Sequence, residues 1–432
     1  MPNITTVILA AGKSSRFKSR VSKLIYPLCG LPIISHVYSV AKKISGKNVI
    51  IVCNKENIKE LKLILKDCTF IIQKKQKGTA DAIEQAKNKI HSKNILVLFG
   101  DVPLINFSIL KDLIKKFNFS KVKASLIAFR TTKPFGYGRL ITNKNVLEEI
   151  VEEINLKSNQ KKINLCNSGV LIVEKKILFD HIKKIKINKN KNERYLPDIF
   201  KIFNNYSIKT NFIECRENDM LGINTLEDFN KVNIILQKKY IDKFIKDGVN
   251  FLQPNTCYLS FDTKIEPSVI IEGNVTIKEK TVIKKGSIIK SNSYLEGVTI
   301  SENCTIGPSA RIRPNSNIGR NSRVGNYVEI KNSKIGKKVS IAHLSYVGDA
   351  IVGNNVNIGA GTITCNYDGK KKYKTIIKDN VFIGSNSSLI APLTLEAKSK
   401  IGAGSVITKN IPKSSLALER SDLKILRNKG TK

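Results

Sequence analysis

Three short stretches of this chain carry side chains whose types and spacing can do chemistry. The first is Leu9-Ala10-Ala11-Gly12-Lys13-Ser14-Ser15-Arg16-Phe17, with Lys23 close behind, and it follows an apolar run over 6–10. A glycine-containing loop at a strand's end turns backbone N–H groups toward phosphate oxygens, and Arg16 and Lys23 are spaced to neutralise a polyphosphate. The second, Phe99-Gly100-Asp101-Val102-Pro103, puts a carboxylate directly beyond another apolar run, where a hard cation and phosphate oxygens would share a site. The third, Ser340-Ile341-Ala342-His343-Leu344-Ser345-Tyr346, holds the one His beyond residue 181. An imidazole titrates near neutral pH and suits a general base. Each stretch also has a plainer reading: a surface turn, an Asp capping the next helix, and a solvent-facing His.

The elements that must position these residues divide the chain in two. Before residue 225, runs at 6–10, 49–52, 70–72, 95–99 and 124–128 read as buried strands, with helical patterns at 33–44, 58–65 and 79–90 between them. That alternation predicts an α/β domain with a Rossmann-like, mainly parallel sheet and ligands at the carboxyl ends of its strands. Leu226, Phe229, Val232, Leu236, Tyr240 and Phe244 recur at close to helical spacing and stop before Gly248, which predicts one long helix joining the halves. From about 250 an aliphatic residue falls on nearly every sixth position, as at Ile271, Ile277, Ile283, Ile289 and Leu295, and again from Ile383 to Ile407. This beat fits hexapeptide repeats of a left-handed parallel β-helix. Three hexads make a triangular coil, the aliphatic residue points inward, and Gly or Asn turns the corner at φ > 0. The segment 365–378 breaks the beat, and 414–432 is a polar, basic tail that would order only against a neighbour.

A chain of 432 residues has room for two or more domains. Its eight Cys lie scattered without a Cys-x-x-Cys pair, so reduced thiols are expected rather than a disulfide framework or a zinc site. No apolar run is long enough to span a bilayer and the N-terminus has no signal-type pattern. The expectation is a soluble, cytoplasmic protein without membrane insertion. The net charge of +39 comes from Lys dispersed among Ile and Asn, and there is no Trp. A nucleic-acid partner is not expected, because it would call for a clustered basic stripe with exposed aromatics. Phosphorylated substrates remain compatible with that charge.

Together the first two stretches resemble the sugar-nucleotidyltransferase family, with its Leu-Ala-Ala-Gly, following Arg and Lys, and later Gly-Asp. Gln73-x-x-Gln76-x-Gly78-Thr79, Gly136-Tyr137-Gly138-Arg139, Ile150-Val151-Glu152, Asn167-Ser168-Gly169 and Gly222-Ile223-Asn224 resemble one branch. It is the bifunctional N-acetylglucosamine-1-phosphate uridylyltransferase/glucosamine-1-phosphate N-acetyltransferase family. The resemblance implies that Leu9, Ala10, Ala11, Gly12, Gln73, Gln76, Gly78 and Thr79 receive UTP. It implies that Gly138, Glu152 and Asn167 hold the sugar phosphate, that Asp101 and Asn224 hold Mg²⁺, and that Arg16 and Lys23 serve uridylyl transfer. Without it, Asn167 and Asn224 read as ordinary loop residues. Two positions depart from the family pattern: Ser14-Ser15 stands for Gly-Thr, and Ser22 for a Pro before the Lys. A Ser carries a Cβ, so a loop that needs φ > 0 at position 14 would be strained.

Arg311-Ile312-Arg313-Pro314, Glu329-Ile330-Lys331 and the run from Asn357 through Asn366-Tyr367-Asp368-Gly369 resemble the acetyltransferase half of the same family. By position, His343 would be the base that removes the amine proton. Arg313, Lys331, Tyr346, Asn357 and Lys372 would hold the sugar phosphate, and Asn366 would orient His343 and the amine. Ala360, Tyr367, Ser385, Ala403 and Arg420 would line the acetyl-CoA site. The implied layout is a uridylyltransferase domain over 1–224, a linker helix over 225–249 and an acetyltransferase β-helix with its tail over 250–432. The resemblance also implies a homotrimer, with UTP, acetyl-CoA and glucosamine 1-phosphate as substrates of UDP-N-acetylglucosamine synthesis for the bacterial envelope. A chain keeping only the acetyl transfer is one rival, and Gln73, Gln76, Asp101 and Asn224 speak against it; a regulatory subunit is another, and Asp101, Asn224 and His343 speak against that.

Overall fold

The structure, a computed structural model, describes residues 3–12, 14–19, 21–143, 146–188, 192–419 and 425. The chain forms two compact units, Met1–Leu236 and Gln237–Lys432. Among the described residues no helix is long and apolar enough to cross a membrane, and the eight cysteines are free thiols.

The first unit is built on a sheet in the order Thr210–Cys215, Ala124–Arg130, Leu165–Glu174, Asn94–Phe99, Ile4–Ala10, Val49–Cys53, Thr69–Ile72. The Val49–Cys53 strand, VIIVC, is buried throughout, as expected where both faces of a parallel sheet are covered. The predicted strands and helices are present, with one shortening: the helix read over 79–90 is α-helical over Thr79–Ala86 and continues as a 3₁₀ turn, Lys87–Lys89. Four strands of this sheet lie outside the runs read from the sequence: Arg139–Asn143, Val146–Val151, Leu165–Glu174 and Thr210–Cys215. Leu165–Glu174 runs antiparallel to both of its neighbours, so Asn167 is a strand residue and not a loop residue. The register slips between Asn167 and Leu171, and that bulge is why the segment does not read as a strand. A hairpin, Arg139–Asn143 with Val146–Val151, joins the same strand through Arg139 and Cys166.

The predicted long helix spans Leu226–Lys246. A reciprocal cap starts it: Thr225 Oγ1 accepts from Asp228 N at 3.1 Å while Asp228 Oδ2 accepts from Thr225 N at 2.9 Å, satisfying backbone donors that the first turn leaves open.

The second unit is a parallel β-helix. Its strands form three all-parallel sheets of 10, 9 and 8 members, each strand pairing with the one a full coil later. The inward column Ile271, Ile289, Ile306, Val324, Ile341, Ile358, Ile383, Ile401 is almost wholly removed from solvent, and the sixfold beat is therefore the core itself. Between Ile358 and Ile383 the extra residues leave as the projecting segment around Asn366–Tyr373.

Both Gly and Asn turn the corners, as expected, and Ser and Lys join them. Positive φ occurs at Asn274, Asn292, Asn315, Asn355 and Asn380 and at Gly286, Gly297, Gly361 and Gly404, among others, while Gly319, Gly336 and Gly353 do not take it. These glycines serve close approach: a Cβ on Gly319 would stand 2.4 Å from Gly336 O, and one on Gly336 would stand 2.3 Å from Gly353 O. At the first coil the Gln237 amide bonds both backbone groups of Leu259, donating to its O at 2.8 Å and accepting from its N at 2.9 Å.

Candidate functional site

In the first unit, parallel pairing sets Leu9 beside Phe99, and Gly100 N continues the ladder to Leu9 O at 3.0 Å. The Ala11–Gly12 loop and Asp101 therefore emerge side by side at the carboxyl edge, where a doubly wound sheet binds ligands. A cleft of about 910 Å³ opens there. It is lined by Leu9, Ala10, Ala11, Gly12, Arg16, Lys23, Gln73, Gln76, Gly78, Thr79, Asp101 and Asn224.

At the floor of the cleft Lys23 Nζ lies 2.7 Å from Asp101 Oδ2 and 3.5 Å from Asn224 Oδ1, and Arg16 Nη2 lies 3.1 Å from the same Asn224 oxygen. Ile223 N bonds Asp101 O at 2.9 Å, and Asp228 Oδ2 accepts from Asn224 N at 3.0 Å. The start of the long helix thus fixes Asn224 against Asp101. Among the described residues no three His, Cys, Asp or Glu side chains gather around a metal position. One carboxylate and one amide oxygen converging on a single cation, here the Lys23 ammonium, fit a hard divalent ion that takes its remaining ligands from phosphate and water.

Other polar side chains, in the cleft and beside it, hold the loop itself. Asn57 Nδ2 donates to Ala10 O at 2.8 Å, and Asn54 Nδ2 and Gln76 Nε2 donate to Ala11 O at 3.2 and 2.7 Å. With the carbonyls tied back, the loop's N–H groups are left for a ligand. Gln73 Nε2 donates to Gly78 O and Asp81 Oδ2, and Thr79 Oγ1 accepts from Leu196 N. Gly78, at φ 96°, is obligatory, since a Cβ there would stand 2.4 Å from Arg194 O. Ser14 adopts the left-handed conformation at φ 53°, the strained geometry expected of a Ser in that loop.

Gly138, Glu152 and Asn167 form a second group. Asn167 N donates to Gly138 O at 2.8 Å, and a Cβ on Gly138 would lie 3.3 Å from Glu152 Oε1. Two contacts tie the group to the cleft. Gly169 packs on the Phe99 ring, and Phe99 lines the cleft. Burial foremost, with the Glu193 and Glu152 charges, pushes the Tyr195 phenol up to about 12, and Tyr195 is a lining residue too. Asn54, Asn57, Glu193 and Tyr195 carried no recognisable motif; they act through backbone contacts or from a distant segment.

In the β-helix, Arg313 Nη1 lies 2.8 Å from Glu329 Oε1. The Lys372 ammonium, with smaller contributions from burial and Arg313, holds the Lys331 ammonium below its ordinary range. Three cations crowded together favour a phosphate dianion over any neutral ligand. Tyr346 follows Glu329 in the ladder, as Gly348 follows Lys331, and Asn357 pairs with Ser340. The Asn366 amide bonds Asp349; the side chain that meets His343 is Asn326, whose Oδ1 lies 2.6 Å from Nδ1.

Asn326 and His343 are ladder partners, and the same corner continues through Ala360, Ser385 and Ala403. Asn386 N bonds Ala360 O at 2.7 Å, and Gly404 N bonds Ser385 O at 2.8 Å. A column that begins with an imidazole and continues in small residues leaves a strip along which an extended acyl carrier can lie. Tyr367 projects beside Lys372 in the loop and is 60% exposed. Arg420 lies outside the described residues.

Residues 6–162 match the MobA-like NTP transferase domain and residues 294–399 the GMPPB C-terminal domain. The chain is 37% identical over 424 residues to the bifunctional protein GlmU of Bartonella bacilliformis, covering 97% of this chain and 94% of that protein. It is 38% identical over 440 residues to bifunctional protein GlmU of Thermodesulfovibrio yellowstonii, covering 97% of each. With Zymomonas mobilis bifunctional protein GlmU the identity is 37% over 425 residues, 97% of this chain and 94% of that one. Likeness of this extent reaches across both units and all the motifs described, and the chain belongs to the bifunctional GlmU family.

Proposed function

We infer that this protein makes UDP-N-acetylglucosamine in two steps: acetyl transfer from acetyl-CoA to glucosamine 1-phosphate, then uridylyl transfer from UTP to the product. The observation that carries the reading is the presence of two separate reactive groups in one chain. One is the Lys23–Asp101–Asn224–Arg16 convergence beneath a phosphate-binding loop; the other is His343 at the head of a column of small residues.

In the first unit the sugar phosphate oxygen attacks the α-phosphorus of UTP and pyrophosphate departs. Both reactants are anions, so Arg16 and Lys23 offset their repulsion and the charge that grows on the leaving group. A divalent ion held by Asp101 and Asn224 supplies further charge neutralisation, and we take that ion to be Mg²⁺. Ala11 and Gly12 present backbone N–H groups to the phosphates, Gln73, Gln76, Gly78 and Thr79 border the uracil, and Gly138, Glu152 and Asn167 orient the sugar. In the second unit His343 removes a proton as the amine attacks the thioester. Arg313, Lys331 and Lys372 hold the phosphate of the amino sugar, with Tyr346 and Asn357 beside it. Asn366, by pinning Asp349, shapes the loop that carries Tyr367 and Lys372. Ala360, Ser385 and Ala403 flank the thioester arm, and Arg420 is assigned to the same acetyl-CoA site by the family resemblance alone. Exposed apolar side chains along the coils, such as Ile363, Phe382 and Val406, suit threefold packing of identical chains in the cytoplasm.

A coupled assay with UTP, Mg²⁺, acetyl-CoA and glucosamine 1-phosphate tests the whole. Release of both CoA thiol and pyrophosphate is expected. Thiol alone would leave an acetyltransferase whose strained Ser14 loop no longer seats a triphosphate.

A further inference from the structure

Two coils of the solenoid differ from the rest at one corner. Three residues beyond each inward aliphatic residue of the 10-stranded sheet the backbone takes a positive φ, and most coils place Asn, Ser or Gly there, as at Asn292, Ser309, Gly361 and Asn386. In the coils that present Asn326 and His343 the position is filled instead by Tyr327, at φ 54°, and Leu344, at φ 50°. A bulky residue in the left-handed region persists only where its surroundings over-determine the backbone. Each of these bends directly follows Asn326 or His343, so both side chains leave from a backbone with little freedom. Leu344 N also donates to Asn326 O at 3.0 Å, which locks the two coils together at the pair.

We propose that Asn326 is a positioning residue for acetyl transfer: its Oδ1, 2.6 Å from His343 Nδ1, accepts the Nδ1–H and leaves the Nε2 lone pair as the base. The proposal rests on the reading of His343 as the acetyl-transfer base. A neutral imidazole has one donor and one acceptor nitrogen, and the partner of one nitrogen decides the state of the other. Two carboxylates of neighbouring coils are engaged elsewhere, Glu329 with Arg313 and Asp349 with Asn332 and Asn366. An amide therefore orients the ring without adding a charge. With Nε2 free, the amine nitrogen bonds to the thioester carbonyl carbon as the C–S bond breaks. Nε2 takes the amine proton and passes it to the departing thiolate.

The test compares full-length wild type with Asn326→Ala and Asn326→Asp, following CoA thiol from glucosamine 1-phosphate for acetyl transfer and, in a separate assay, pyrophosphate from UTP and supplied N-acetylglucosamine 1-phosphate for uridylyl transfer. Asn326→Ala should lower the acetyl-transfer kcat roughly 10- to 100-fold, part of what a positioned base contributes, with both KM values and pyrophosphate release unchanged. Asn326→Asp keeps the acceptor and should recover most of the loss. ¹⁵N-histidine spectra, with the His343 signals identified by their absence from His343→Gln, should show Nδ1–H and an unprotonated Nε2 in the wild type. The Nε2–H tautomer should grow in Asn326→Ala. An Nε2–H tautomer in the wild type, or an unchanged kcat in Asn326→Ala, overturns the proposal alone. No thiol release from the wild type removes the reading of His343 as a base, and the proposal with it.

Discussion

Lys23 and Asp101 neutralise one another across 2.7 Å with the Lys side chain only 7% exposed, and both line the cleft. On the proposed function, substrate binding would exchange partners: the Lys23 ammonium would turn to phosphate, and Asp101 would be left to hold the divalent ion. Asp101→Asn keeps the shape and removes the charge. It should cut pyrophosphate release by about 10²-fold or more, the scale of losing one preorganised electrostatic partner, with thiol release unchanged. The reactive residues here were legible because strand-end loops advertise them by type and spacing. Asn54 and Asn57 were not, since a side chain that ties back a carbonyl looks like any polar residue at a helix start. Asn326 was legible only in register: it precedes His343 by 17 positions, one coil, and stands two residues past Val324 as His343 stands two past Ile341.

At the scale of elements, the inward column of the β-helix was fully readable, because burial demands an aliphatic residue once per hexad. The glycines were readable as a pattern but not as a cause. Close stacking of Gly319, Gly336 and Gly353 is a contact between coils, which no single hexad records. Gly336→Ala should destabilise the second unit by about 1–3 kcal/mol, as overpacking does, seen as a lower unfolding midpoint of that unit with pyrophosphate release retained below it. The loop of the first unit offers the opposite case. Ser22 already sits at φ −54° and ψ 133°, within the range a proline ring imposes. Ser22→Pro should raise stability by about 0.4–1 kcal/mol through the unfolded chain, measured as a higher denaturant midpoint. The antiparallel Leu165–Glu174 strand stayed hidden because its bulge interrupts the alternation that marks a strand.

For the molecule as a whole, stability depends on where charges sit more than on how many there are. The +39 net charge is mostly solvated, but Asp198 is not. Burial, with the Glu149 carboxylate adding to it against Lys201, pushes its pKa up to about 6. The folded state therefore favours protonated Asp198. That contribution is complete below the ordinary carboxylate range and is lost as pH rises through about 6. Asp198→Asn should raise the thermal midpoint of the first unit at pH 7.5 and leave it unchanged near pH 4. The first coil of the β-helix faces a separate problem, termination. Tyr258 and Ser260 direct their N–H groups forward, to Val275 O and Ile277 O, so Leu259 between them faces backward, where no earlier coil exists. A stack of identical rungs with one open face invites a second molecule to add its own rung and so on into a fibre. At the first strand of one of the three sheets Gln237 occupies that face with a side chain that imitates a peptide group, and its amide thereby fills the place that a further rung would take.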